Sequence, residues 1–181
     1  TGSAWTDITD DATYLGAITQ QLAIMNAPVS MNGYRYRLAL YTICSTTYTS
    51  EAVLTVNPNP VVDFSAIDPV AACGGVPLVL DGNPAGGSGT WSQHRWTGDV
   101  GPLNSYTAQS PTFTSYITGS YNLNYRVTDS NGCTANDDLT VTVDYPSAQF
   151  TQDVEYGCTP LEVSFTKDMT GIAEWWWDFD D

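Results

Sequence analysis

Positive charge is nearly missing from this chain. Its 181 residues hold 5 Lys and Arg against 20 Asp and Glu, a formal net charge of −15. Such a surface repels phosphate backbones and anionic headgroups, which makes nucleic acid a poor partner and disfavours anionic membrane surfaces. Histidine occurs once, at His94. Any Ser–His–Asp or Cys–His set has to use it. It sits in SQHRWTG on an expected strand beside Trp96, reads as solvent-facing, and has no nucleophile at a recognisable spacing. Paired carboxylates do not restore catalysis, because a small sandwich offers them no deep cleft. The chain reads as not an enzyme. Long apolar runs are missing too. Nothing approaches the ~18 residues of a membrane span, and no basic-then-apolar segment opens the chain as a signal peptide would. The cysteines Cys44, Cys73, Cys133 and Cys158 include no pair spaced for zinc. Stretches of Ala, Glu, Lys and Leu that favour long helices are also lacking.

What is abundant suits strands. Thr, Val, 11 Tyr and 6 Trp fit half-buried pleated surfaces, so the expected fold class is all-β. The chain also repeats itself. LTVNPNPVVDF (54–64) matches VTVDYPSAQF (141–150): a strand, a proline joint, then a strand ending in Phe. Phe64 and Phe150 lie 86 residues apart, Cys73 and Cys158 85, Trp96 and Trp177 81, Trp5 and Trp96 91, and Gly33 and Gly119 86. A repeat of about 85 residues is the size of one small β-sandwich. The expectation is therefore tandem sandwiches, with incomplete ones at both ends. Residues 1–57 read as the C-terminal part of one, 58–145 as a complete one, and 146–181 as the N-terminal part of a third, within a longer array. Expected segments of the middle unit are VDFSA, VPLVLDG, SQHRWTG, a polar connection through Leu103, SPTFTSY, GSYNLNYRVTDS and DDLTVTVD. Several alternate with period two.

The repeat assigns roles to single residues. Trp5, Trp96 and Trp177 are the expected core tryptophans of each third strand. In WWWDFDD (175–181), alternation puts Trp175 and Trp177 on the core face and Trp176 on the other. Tyr36 and Tyr121 stand before the penultimate strands, where a tyrosine corner returns its hydroxyl to the upstream backbone. Arg35 and Arg37 share the opposite strand face from Tyr34 and Tyr36, over outer-sheet acids. Cys73 precedes the second strand of the middle unit and Cys133 opens its last. A Cys73–Cys133 disulfide is expected, closing a loop of about 60 residues, contributing ~4 kcal/mol and implying an oxidising compartment. Cys44 and Cys158 either pair outside this sequence or stay free. No cofactor is expected apart from calcium, for which Asp178 and Asp181 are the candidate ligands, with acids also at Asp7, Asp10, Asp11, Asp137 and Asp138. DSNGCTANDD is not an EF-hand loop; Asp129 and Asn131 read as side-chain caps of a tight turn. The joints NPNP (57–60) and DYPS (144–147) are short and stiffened by proline.

Several of these stretches resemble known families. AQF, GCTPLEVSF and WDFDD (148–150, 157–165, 177–181) resemble the opening of a PKD domain, whose signature is WDFGDG; Asp180 stands where that family has Gly. GGSGTWSQHRWTG, GSYNLNYRVTDSNGCT and DLTVTV resemble a PKD-like domain. The patterns W-x-x-I, Tyr-x-Gly, M-x-G-Y-x-Y-R and S-x-A-x-L-x-V, spread over residues 5–56, resemble immunoglobulin-like repeats of large Bacteroidota surface proteins. The resemblance implies an array of Ig-like and PKD-like sandwiches, secreted and displayed at the cell surface, of the gliding-motility adhesin or surface-filament type. Its implied partners are flanking repeats, neighbouring copies in a filament and surface glycans; some PKD modules bind calcium. Two rival readings remain. One is an accessory carbohydrate-binding or spacer module of a secreted hydrolase, with Trp91, Tyr106 and Trp176 as loose aromatics. The other is a filament subunit completed by strands from a neighbour.

Overall fold

The computed structural model describes residues 4–145, 149–168 and 174–178. These form short strands and a single 3-10 turn at Val29–Met31, with no α-helix among the described residues. None of their helices is long and apolar enough to cross a membrane. The chain divides inside NPNP into two compact units, Thr1–Asn59 and Pro60–Asp181.

The first unit holds β1 (Tyr14–Leu15), β2 (Ala23–Ile24), β3 (Arg35–Tyr36), β4 (Ala39–Tyr41), β5 (Thr46–Tyr48) and β6 (Ala52–Val53). They pair antiparallel as three separate ladders, β1–β2, β3–β6 and β4–β5. Met31 is its one buried hydrophobic residue among those described, and Ile18 and Ile43 are fully exposed. Two-stranded ladders alone bury too little to build a core.

The second unit contains β7 (Pro60–Val61), β8 (Val70–Cys73), β9 (Leu78–Val79), β10 (Ala85–Gly86), β11 (Trp91–Gly98), β12 (Thr112–Phe113), β13 (Gly119–Asp129) and β14 (Thr134–Asp144). A four-stranded sheet runs β11-β13-β14-β8, antiparallel except for the parallel β14–β8 pair. Period-two alternation sends Leu123, Tyr125 and Val127 of β13, and Leu139, Val141 and Val143 of β14, to one face. Across from them, Val62, Phe64, Leu80 and Phe113 come from the layer that carries β7–β10 and β9–β12. The result is a β-sandwich with Trp96 at its centre. Trp96 is 1% exposed. Its indole meets Phe64 at 6.0 Å and Tyr125 at 4.7 Å between centroids, and its Nε1 donates to the Ala108 carbonyl at 3.0 Å. Separately, β15 (Gln149–Gln152) and β16 (Phe165–Asp168) form an antiparallel ladder.

One strand was not expected. β8 is the sequence VAAC, four residues with no alternation signal, and its partner β14 lies far along the chain. The observed strand before it is only Pro60–Val61; Val62 and Phe64 are buried without being in a ladder.

Truncating the central indole is expected to cost about 3–5 kcal/mol, the range for a large aromatic lost from a packed core. Trp96→Ala should show this in urea unfolding followed by circular dichroism. Trp5→Ala, at a residue 43% exposed, should cost less than about 1 kcal/mol.

Candidate functional site

The inner face of β11 places His94 two residues from Trp96. Alternation therefore turns His94 toward the sandwich, half-buried, rather than toward solvent as its hydrophilic neighbours had suggested. Its Nδ1 and the Tyr125 hydroxyl share a 2.6 Å hydrogen bond, and the two rings stack at 6.0 Å. Gly82 makes room for that hydroxyl, since a Cβ there would collide with the Tyr125 ring. Burial, then the charge of Asp81, pushes Tyr125 up to about 12, and burial holds His94 below its ordinary value. Asp81 is held below the usual carboxylate range by the Asn83 amide first and by the Ser110 hydroxyl. Both shifts keep the pair neutral, a phenol hydrogen-bonded to an imidazole. The serine hydroxyls nearby are committed elsewhere: Ser110 donates to Asp81, and Ser92 donates to the Asp129 carbonyl.

Asp129, 1% exposed, caps the β13–β14 turn as the DSNG sequence suggested. One carboxylate oxygen accepts the amides of Asn131 at 2.9 Å and Cys133 at 2.8 Å, and the other accepts Ser88 at 2.9 Å. Burial acts to raise its pKa; the amides of Ser88, Cys133 and Asn131 outweigh burial and leave it lowered. Tyr121 sends its hydroxyl back four residues to the Ile117 carbonyl at 3.0 Å and shares a 2.7 Å bond with Ser115.

Other expected roles are corrected. The Cys73–Cys133 disulfide does not form, and all four thiols are free. Cys73 is aligned with Asp144, whereas Cys133 precedes Thr134 at the opposite end of the 11-residue β14. At ~3.3 Å per residue the two lie more than about 30 Å apart, and a bridge needs Cα atoms within about 7 Å. Trp5 is not a core residue. The Arg37 guanidinium covers its ring at 4.0 Å and the Tyr48 ring at 4.0 Å, a surface stack. Arg35 does find an acid, Glu51, at 2.9 Å. Tyr36 makes no corner bond. Its hydroxyl lies 3.1 Å from that of Tyr14, and burial followed by that hydrogen bond pushes it up to about 12. Trp177 is 54% exposed. It meets Phe150 at 5.8 Å and Phe165 at 6.1 Å, over a ladder of only two strands.

Three of the acids expected near calcium accept backbone amides. Asp11 caps Thr13 and Tyr14, Asp10 accepts Ala17, and Asp137 accepts Phe64. Among the described residues no group of three metal-type ligands converges. Asp178 is exposed; Asp181 lies outside the described residues. The register also sets Arg95 directly opposite Arg126 on the outer face, a juxtaposition that no local pattern announces.

His94 gives the sandwich a pH dependence of definite sign. Its folded pKa is depressed, so the unfolded chain takes up this proton first as acid is added. Its contribution is intact above the unfolded value of about 6.5 and is lost as pH falls through that value toward the folded one. Thermal melts should show Tm falling between about pH 7 and 5 in the wild type relative to His94→Gln. Parallel melting curves for the two proteins across that window would refute the assignment.

No protein-family model matches the chain, and no curated protein does. One solved structure with some likeness is described as a nucleoside hydrolase-related hypothetical protein from Saccharophagus degradans that is associated with carbohydrate metabolism. It aligns with a TM-score of 0.41 at 16% identity, over 50% of this chain and 26% of that one. The chain thus spans about a quarter of that protein, and a likeness this partial carries no reading of function.

Proposed function

We propose that this chain is a non-catalytic segment of a long extracellular, cell-surface adhesin or filament, a semi-rigid stalk of tandem β-sandwiches. The observation that carries this reading is an aromatic pairing that recurs. Phe64 stacks on Trp96 at 6.0 Å, and Phe150, 86 residues further on, meets Trp177 edge-on at 5.8 Å. The same residue types, in the same order and again paired, support two copies of one structural unit, although the ring geometry differs between them. With the Cys73–Cys133 bridge removed by geometry, the extracellular setting rests on the resemblance to Ig-like and PKD-like surface repeats.

Strand order supports a load-bearing role. β8 lies near the start of the sandwich and β14 ends it, and they run parallel, with Val70 to Cys73 aligned on Val141 to Asp144. Tension between the ends of this unit pulls two parallel neighbours in opposite directions. Their hydrogen bonds are then loaded together in shear instead of one at a time. Proline in the NPNP joint limits bending between units.

Protease shaving of intact cells should release peptides from residues 60–145; protection of this segment in intact cells but not in lysates would sink the surface reading. In single-molecule pulling, Ala72→Pro removes an amide from the β8–β14 ladder and should lower the unfolding force clearly, while Gly101→Ala, whose added Cβ meets open space, should not.

A further inference from the structure

The outer face of the four-stranded sheet carries two of the chain's 5 cationic side chains side by side. Arg95 on β11 is the cross-strand partner of Arg126 on β13, which sets their Cβ atoms about 4.5–5.5 Å apart. Like charges so placed repel, and the chain has 20 acids to relieve them. Yet among the described residues neither guanidinium has a carboxylate within 4.0 Å. Asp138, one row along the same face, accepts the Asn124 amide at 2.7 Å instead. That next row continues the site. Thr97, Asn124 and Asp138, with Asn122 and Thr140, line a groove of about 420 Å³. Gly98 opens its end: φ is +91°, and a Cβ there would strike the Asn122 carbonyl.

We propose that this groove and the arginine pair together bind an acidic polysaccharide, one that carries uronate carboxylates. Carboxamides and hydroxyls in the groove exchange hydrogen bonds with ring hydroxyls. The planar guanidiniums take carboxylates in a fork geometry that an ammonium does not reproduce. The carboxylates are placed at the arginine end, because Asp138 in the groove lies only about 7–8 Å diagonally from Arg126 and repels them there; at physiological salt the acids beyond about 8 Å are screened. A second copy of the chain also offers carboxylates and hydroxyls, and the sedimentation arm of the test separates that occupant from the polysaccharide. The inference rests on the extracellular reading above and supplies the stalk with a ligand class.

The test is affinity electrophoresis of the whole 181-residue chain in gels containing polygalacturonate, with dextran as the neutral comparison and melting curves as the fold control. Retardation is expected with polygalacturonate and not with dextran. Arg95→Gln/Arg126→Gln should weaken it about tenfold or more with Tm held or raised, since a like-charge pair is removed. Arg95→Lys/Arg126→Lys keeps the charge without the fork and should fall between. Absent retardation, equal retardation in dextran, or retardation unchanged in the Gln variant each overturns the proposal. So does a dimer, seen by sedimentation, that dissolves in the Gln variant while retardation stays the same, because the face would then join two copies. Shaving of intact cells is read separately, so a missing ligand is distinguished from a missing stalk.

Discussion

A single buried carboxylate sets the register on which the sandwich depends. Asp129 holds the amides of Asn131 and Cys133 with one oxygen, which closes the β13–β14 turn, and that of Ser88 with the other, which ties down the loop before β11. A slip of one residue in either pairing would turn every side chain to the opposite face. With this register, Trp96 faces Tyr125, Leu123 faces Leu139, and the arginines face outward. The carboxylate is inexpensive to bury because backbone amides replace the water it loses. Gly87 belongs to the same device, since a Cβ there would crowd the Asp129 carboxylate at 2.8 Å and Pro60 at 3.1 Å.

The two faces that follow from this register have different physics. Inside, three aromatic rings, Phe64, Trp96 and Tyr125, meet within 6.3 Å of one another, and the polar atoms they bring are satisfied: the indole by Ala108 and the phenol by His94. Outside, the face is amides, hydroxyls and a few charges, with no apolar stripe to demand cover. The first unit lacks this division. Its ladders are two strands wide and, Met31 apart, its described apolar side chains are exposed or half-buried, so its order comes from local devices such as the Asp11 cap and the Arg37 stack on Trp5 and Tyr48.

The proposed mechanical and adhesive roles would draw on these faces separately. Load would fall on the inner face and the parallel β8–β14 ladder, whereas a ligand on the outer face would leave the core undisturbed. Nothing in this division requires proton transfer between His94 and Tyr125, whose shared hydrogen bond is explained by burial of both rings.

Features encoded by neighbours in sequence were legible in advance. The all-β class followed from composition, the inward faces of β13 and β14 from period two, the Trp96 core position from the repeat, and the Asp129 turn from DSNG. Local patterns survive into the fold because strand alternation and side-chain caps act over only a few residues. Features that depend on which distant segments meet were decided by tertiary structure alone. VAAC becomes a strand only because β14 offers it a free edge. Cys73 and Cys133 are kept apart because β8 pairs with the C-terminal end of β14, Val141 to Asp144, while Cys133 precedes its first residue. The inward turn of His94 is the exception, since its shared parity with Trp96 is a local signal carried by the strand itself. Arg95 met Arg126 because the β11–β13 register aligned two strands whose sequences say nothing about each other.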